Sequence, residues 1–569
     1  MLCKGIMGKS FSKFYPQKWV QISILIGFCI VVYFVNLGRW DLWNPDEPRY
    51  AQVAREMVNG GDWVLMHVNG KIYPDKPPLF FWLIAFSSYL WQGFSSFSVK
   101  FSAALFGTLT VLLTFLLGRI LYSSRTGFLS GLILATSFEF AYLSTRANID
   151  TTLTFFTTGS LLCFILWYQY RESEDKAKNV KKAEVEVKGE EKAKMRNLWI
   201  YGFYIGMALA TLTKGPVGFI LPLSVSLIYL VLQKDWKGIM KMRLLTGMAL
   251  FLVIVLSWYL PALLKGGEDY LHATLFMHTI DRYSKGLIHL KPIYYYFYIF
   301  PGQFLPWIFF LPAAIRYGFS KEIIKERRNF LFLLVWFVVI LLFFSLSKGK
   351  RPLYLLPLFP GVCLMVGKLW NDFTAAPIHP LRHEWISFPL YALISLLLVA
   401  GGAIPWIIST KYPSYLPYSL PVSFLMIGGS LTLFAFYRLK KYGVVFFLII
   451  AMLAGGFFYT LRAIFPALNS YKSARFISEE LTSTIQPGEK LAAFSLETAP
   501  YNYYTGIVPI VELEKEENLI SFLQSRERVF CLIKSRDLDR IQTKEALPMV
   551  ELAVRHHLGH RDVVLISNR

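Results

Sequence analysis

An all-α polytopic membrane domain of about thirteen crossings, followed by a small α/β domain, is the architecture this sequence predicts. Three observations predict it. Of 569 residues 55% are hydrophobic and only 17% are charged, mean hydropathy is +0.44, and apolar runs longer than a core helix recur along the chain. Lys and Arg collect in loops that fall on one side of those runs. After Pro466 the composition turns soluble, with short strand-like and helix-like stretches in alternation. The net charge of +22 sits in loops between spans instead of on one compact face. It therefore suits membrane lipid headgroups and phosphates and indicates no nucleic-acid partner. The cysteines Cys3, Cys29, Cys163, Cys363 and Cys531 are scattered, without the spacing of a disulfide framework or a zinc finger.

The first run, 20–37, follows Lys4, Lys9, Lys13 and Lys18 and lacks a small-residue cleavage site, so it is expected to be retained as a span that also serves as targeting signal. Further spans are expected near 99–121, 126–145, 152–170, 198–213, 217–233, 244–263, 293–315, 330–347, 353–369, 386–408, 419–437 and 443–465. Phe80–Trp91 is short and aromatic and is expected to lie in the interface. With that segment not crossing, the basic loops 171–197, 234–243, 316–329 and 438–442 share the side of the basic N-terminus, as the positive-inside rule demands. Arg171–Asn197 is charged and poor in bulky apolar groups, and reads as a solvated or helical cytoplasmic excursion. Domain boundaries follow: 1–466 in the membrane and 467–569 as a domain on the outer, periplasmic face. The latter is expected to have strands at 491–496, 507–513, 528–534 and 562–568 and helices at 514–526 and 535–546. Its default role is to cap or dock.

The same parity places the polar islands 38–79, Asp150, Lys214, 264–292 and Ser347–Arg351 on the outer face, and their convergence predicts one cavity. Charges beside a bilayer are costly to desolvate, so Asp46, Glu47, Arg49, Arg55, Asp75 and Lys76 require either mutual pairing or a polar ligand. A helix is expected over Glu47–Asn59, with Asp46 as N-cap, Pro48 in the first turn and a stop at Gly60-Gly61. Tyr50, Ala51, Ala54, Met57 and Val58 then share one face, and Arg49, Gln52, Arg55 and Glu56 the opposite, outward one. Capping alone would account for Asp46. The adjacent Glu47 and the same-face arginines exceed what a cap needs, and a carboxylate at a helix N-terminus stays ionised, as a general base must. Basic residues flanking spans also snorkel, which is the plain reading of Ser347–Arg351 and Lys214, and Tyr294–Tyr298 reads as an interfacial belt.

The run LWNPDEPRYAQVAREMVNGGDWV, then DKPPLFFWL, Asp150 in RANIDTTLTFF, LTKGP and SKGKRPLYLLPLFP, in this order over residues 20–370, resembles the GT-C integral-membrane glycosyltransferases. Within them it is most similar to the lipid A aminoarabinose transferase and protein O-mannosyltransferase-like group. The resemblance implies the GT-C fold and a sugar donor on a polyprenyl (undecaprenyl) phosphate. It also implies an active-site role for Asp46, with Glu47 and Arg49 completing that motif, Asp150 as second acid and Lys76 as the lysine of a Glu-Lys-Pro block. Two positions depart from the family pattern. Asp75 stands where the aminoarabinose transferases carry glutamate, and His278 in FMHTIDRY falls one place before the family histidine, which aligns with Thr279. Asp75 and His278 are the candidate metal pair, for zinc; nothing else calls for a cofactor.

Transfer from a polyprenyl phosphosugar leaves an anionic phosphate, so one acid and several bases are needed. Asp46, with Asp150, is the expected catalytic acid pair. Lys76, Lys214, Lys348, Lys350, Arg351, Arg55 and Arg282 are expected to bind the phosphates, with Glu47 and Arg49 beside them. The expected reaction moves 4-amino-4-deoxy-arabinose or a related sugar to lipid A at the outer face of a bacterial inner membrane. A protein O-mannosyltransferase-like or other glycan transferase is the alternative enzyme. A lipid-linked sugar flippase is the non-enzyme alternative, disfavoured because charges cluster at span ends and no duplicated half with broken helices is evident.

Overall fold

The computed structural model describes residues 18–178, 186–274, 277, 290–375, 384–544, 551–558 and 561–569. Among them eight helices are long and apolar enough to cross a bilayer: Ser96–Leu121, Ile149–Asp175, Leu244–Thr274, Ile324–Leu346, Pro352–Thr374, Glu384–Lys411, Pro413–Arg438 and Tyr442–Ala467. Two pairs are sharply bent. Ser124–Thr136 turns by 71° into Phe138–Ser144, and Tyr295–Gln303 by 111° into Trp307–Gly318; counting each pair as one span gives ten. Length and composition thus support eight to ten crossings, against the thirteen expected. Lys18–Phe34 and Val217–Leu232 are shorter apolar helices, and the apolar part of Glu186–Lys214 begins only after Arg196.

The expected spans at 126–145 and 293–315 are therefore each broken into two helices. Ser137 sits in an extended conformation between the first two helices, and Pro306, which has no N–H to donate, lies in the second break. The breaks meet: the Phe138 N–H donates to the Leu305 carbonyl at 3.1 Å. Backbone groups released from two helices thereby satisfy each other, which a low-dielectric surrounding requires.

Burial separates a centre from a belt. Pro352–Thr374 is 83% buried and Ile149–Asp175 72%, whereas the three helices after Glu384 are 17 to 28% buried and turn apolar side chains outward. Close approach at the centre uses small residues: a Cβ on Gly118 would stand 2.5 Å from the Gly127 Cα. Lys100, fully buried in Ser96–Leu121, donates to the carbonyls of Trp40 at 2.7 Å and Asp41 at 3.0 Å, with its ammonium 3.9 Å from the Trp40 ring centre. That lysine fixes the segment leading to Asp46 onto the bundle.

The C-terminal domain is a mixed five-stranded sheet. Strands β3 (Lys490–Phe494), β4 (Val511–Leu513), β5 (Val529–Lys534), β6 (Glu551–Leu558) and β7 (Arg561–Ser567) run in the order β4-β3-β5-β7-β6, the first three parallel and the last two joined antiparallel. Period-two alternation sorts its apolar residues onto two faces. Ala492, Phe494, Cys531, Ile533, Val564 and Ile566 pack on Glu516–Leu523 and Ser535–Lys544. Leu491, Ala493, Phe530, Leu532, Val563 and Leu565 pack on Arg475–Thr484 and Ala499–Thr505. The sequence pattern anticipates β3, β5, β7, β4 as the last three residues of the expected strand 507–513, and the first two of these helices; it misses β6 and both helices of the second face, which are polar enough to read as loop.

The first polar loop packs against this domain. Strands β1 (His67–Val68) and β2 (Lys71–Ile72) form a hairpin through Asn69 and Gly70, whose φ of 56° and 74° suit an Asn-Gly turn. Asn69 is buried: its carboxamide donates to Ile510 O at 2.8 Å and Glu512 at 2.9 Å and accepts from Ile510 N at 2.7 Å. Asn469 in turn accepts from Asp41 N at 3.1 Å and Trp43 Nε1 at 3.0 Å.

Candidate active site

The helix observed is Asp46–Gly60, ended by Gly61 in the left-handed region at φ 69°. Asp46 is not its cap, contrary to expectation. Pro45 holds that position and makes no side-chain cap, so Asp46 and Glu47 both stand in the first turn, where the helix dipole favours negative charge. Tyr50, Ala51, Ala54 and Met57 are buried as expected, while Val58 is exposed. The face expected to point outward is covered: Gln52 is buried, and Arg55 donates to Asn502 O at 2.7 Å from beneath the C-terminal domain.

Around Asp46 the charges form a string. Arg351 bonds one carboxylate oxygen and Arg49 the other, and Arg49 Nη1 reaches Glu497 Oε1 at 3.0 Å. Burial pushes the Asp46 carboxyl up, but the Arg351 and Arg49 guanidiniums, and Arg146 more remotely, outweigh it and hold the group below its ordinary value. Glu497 behaves oppositely. Burial raises it, Asp46 adds to the rise, and Arg49 alone does not offset them. Its side chain is 38% exposed, the most open in the string.

A second, more enclosed pair lies nearby. Lys214, at the end of Glu186–Lys214, binds Asp150, which opens Ile149–Lys178. The Lys214 ammonium is 4.2 Å from the centre of the Tyr354 ring, and Tyr354 donates its N–H to the Arg351 carbonyl at 3.2 Å. The segment Ser347–Tyr354 thereby joins both pairs, and Tyr296 donates to the same Arg351 carbonyl at 3.0 Å. Four of the expected polar islands are thus represented at one end of the bundle.

The remaining expected residues divide. Glu47 is buried, and its oxygens accept from Trp43 N, Ala147 N and Arg146 Nη2, each at 2.9 Å, so it ties two loops together. Arg55 lies about two and a half helical turns from Asp46, its guanidinium 5.0 Å from the Tyr503 ring centre. Lys76 binds Asp75 at 2.8 Å, and the Tyr73 hydroxyl donates to Asp75 at 3.2 Å. Lys348 is exposed; Lys350 is buried and donates to the carbonyls of Lys291 and Ser347. His278 and Arg282 lie outside the described residues. Among the described residues no three His, Cys, Asp or Glu side chains gather as metal ligands. Asp75 is engaged by the Lys76 ammonium and the Tyr73 hydroxyl. Sequence reasoning missed Arg146, Tyr354 and Glu497. The first is next to Asp150 and falls under the same parity argument; nothing local marks Glu497.

A carboxylate kept ionised between guanidiniums, with a lysine–aspartate pair beside it, at one end of a multi-pass helical bundle is a setting suited to an anionic substrate held at a membrane surface. Residues 20–277 match the family described as dolichyl-phosphate-mannose-protein mannosyltransferase. The chain is 31% identical over 418 residues to the undecaprenyl phosphate-alpha-4-amino-4-deoxy-L-arabinose arabinosyl transferase of Pseudomonas paraeruginosa, covering 73% of this chain and 70% of that protein. It is 31% identical over 399 residues to transferase 2 of the same description from Proteus mirabilis, covering 69% and 67%. The crystal structure of ArnT from Cupriavidus metallidurans bound to undecaprenyl phosphate superposes with a TM-score of 0.78 at 19% identity, over 98% of this chain and 99% of that one. The chain belongs to this ArnT and protein mannosyltransferase family of membrane glycosyltransferases, which use a polyprenyl phosphosugar donor.

Proposed function

We propose that this glycosyltransferase moves 4-amino-4-deoxy-arabinose from undecaprenyl phosphate to lipid A at the outer face of the inner membrane. The observation that carries the reading is the Arg351–Asp46–Arg49–Glu497 string. Asp46, ionised and oriented by two guanidiniums, accepts the hydrogen bond of the attacking acceptor group or stabilises positive charge at the anomeric carbon. Arg351 neutralises the departing phosphate, exchanging its carboxylate partner for phosphate oxygens as donor binds. Lys214, Lys76, Lys348 and Lys350 supply further positive potential, and Asp150 holds Lys214 in place. The names of the curated relatives support the sugar and the donor, and the exposed Glu497 edge of the string leaves room for a large acceptor.

The topology belongs to the same proposal. The two bent pairs, the short helices Lys18–Phe34 and Val217–Leu232, and the apolar part of Glu186–Lys214 bring the crossings to thirteen, with Leu79–Leu90 lying in the interface. The basic loops then face the cytoplasm and the region 467–569 the periplasm.

Purified protein in liposomes, given undecaprenyl phospho-aminoarabinose and lipid A, tests the reading. Lipid A should gain the mass of one aminoarabinose residue. Transfer of mannose to a peptide hydroxyl instead, with lipid A unmodified, would assign the chain to the mannosyltransferase branch.

A further inference from the structure

Two polar side chains that the proposed chemistry leaves idle meet where the bent helices touch. Glu139 lies in the first turn of Phe138–Ser144, directly after one break, and Gln303 closes Tyr295–Gln303, directly before the other. The Phe138-to-Leu305 backbone bond holds the two ends together. Gln303 is only 5% exposed, yet among the described residues neither its carboxamide nitrogen nor its oxygen has a hydrogen-bond partner. Its side chain faces the Glu139 carboxylate. A buried amide left this way costs about 1–3 kcal/mol and calls for a reason.

Among the described residues Glu139 has no ion-pair partner. The one basic side chain acting on it, Arg146, is committed to Glu47 and to the Tyr142 hydroxyl. Tyr296, on the helix that Gln303 closes, donates to the Arg351 carbonyl, and Phe138–Ser144 leads through Arg146 to Asp150. The Glu139 and Gln303 pair therefore lies on elements that also build the site. An ionisable group between broken helices, beside a site for a charged substrate, is where substrate recognition is expected.

We propose that Glu139 and Gln303 form a specificity subsite for an ammonium group on the transferred sugar, which rests on the reading of this chain as an amino-sugar transferase. The carboxylate without a committed cation pairs with the ammonium, and the carboxamide bonds a neighbouring ring hydroxyl. Glu139 then gains the cation that it lacks among the described residues, and Gln303 gains a polar partner. A neutral or N-acylated sugar leaves the carboxylate without its cation and gains nothing from it.

The experiment uses the full chain in liposomes with lipid A and two donors, undecaprenyl phospho-aminoarabinose and its N-acetylated form. Glu139→Gln should lower kcat/KM for the amino donor by roughly tenfold or more, the loss of one charge-assisted hydrogen bond, while the N-acetylated donor stays within about twofold. Gln303→Leu, which removes the polar atoms without adding charge, should lower the amino donor in the same direction. Equal loss on both donors, or no loss on either, would overturn the subsite. A parent protein that ignores the amino donor but transfers another sugar would instead overturn the functional reading, and the subsite with it.

Discussion

The two carboxylates at this site sit in different company. Among the described residues the Asp150 side chain has a single partner, Lys214, and both are almost enclosed. Asp46 is shared between Arg351 and Arg49, and Arg49 is shared again with Glu497, at a more open edge. A closed one-to-one pair balances its own charge and holds two helix ends together. An open string can exchange partners, because each guanidinium keeps donors to spare when a phosphate or an acceptor arrives. The comparison assigns chemistry to Asp46 and architecture, with some electrostatic help, to Asp150.

The largest effect should come from Asp46→Asn, which keeps shape and loses charge: turnover of purified protein should fall by about 10²- to 10⁴-fold with folding intact. Turnover near that of the parent would dissolve the contrast. Next is the closed pair. Asp150→Asn or Lys214→Gln alone leaves a buried charge without its partner and should destabilise by about 3–5 kcal/mol in thermal unfolding, whereas the double variant should recover most of that loss. Equal destabilisation by the double variant would argue that the pair does more than balance charge.

The pH dependence separates the two ends of the string. Asp46 is held below its ordinary value of 3.8, so its contribution is fully present above that value and is lost only as pH falls through the lower folded one. The acid limb of activity should thus lie below pH 3.8 in the parent and move upward in Arg351→Gln, where one stabilising guanidinium is gone. Glu497 is held above 4.5, so its carboxylate form costs stability at neutral pH and that cost is relieved on acidification. Glu497→Gln should unfold no more easily than the parent at pH 7. The smallest effect is expected from Arg55→Gln, about 1 kcal/mol in docking of the C-terminal domain, with turnover changed little.

Much of this was legible in the sequence because hydrophobic runs and charge side are local properties. Apolar length marked the main helices, and parity alone gathered Asp46, Asp150, Lys214 and Arg351 at one end. The N-terminal turn was misread by one position because Asp46 is an excellent cap residue, while Pro45 ends up outside the helix in its place. The polar face of Asp46–Gly60 was read as wet because the domain that covers it begins more than four hundred residues later. Glu497 was invisible for the same reason: its neighbour Arg49 is supplied by docking, not by spacing. Ser137 and Pro306 were the local signs of the breaks at 126–145 and 293–315, but continuous hydrophobicity across both concealed them.

The most direct test is mass spectrometry of lipid A from cells expressing the parent chain and Asp46→Asn at equal membrane levels. The account predicts an aminoarabinose-sized mass increment on lipid A with the parent chain and its loss in the variant. The same increment in both would contradict the assignment of Asp46, and with it the contrast between the open string and the closed pair.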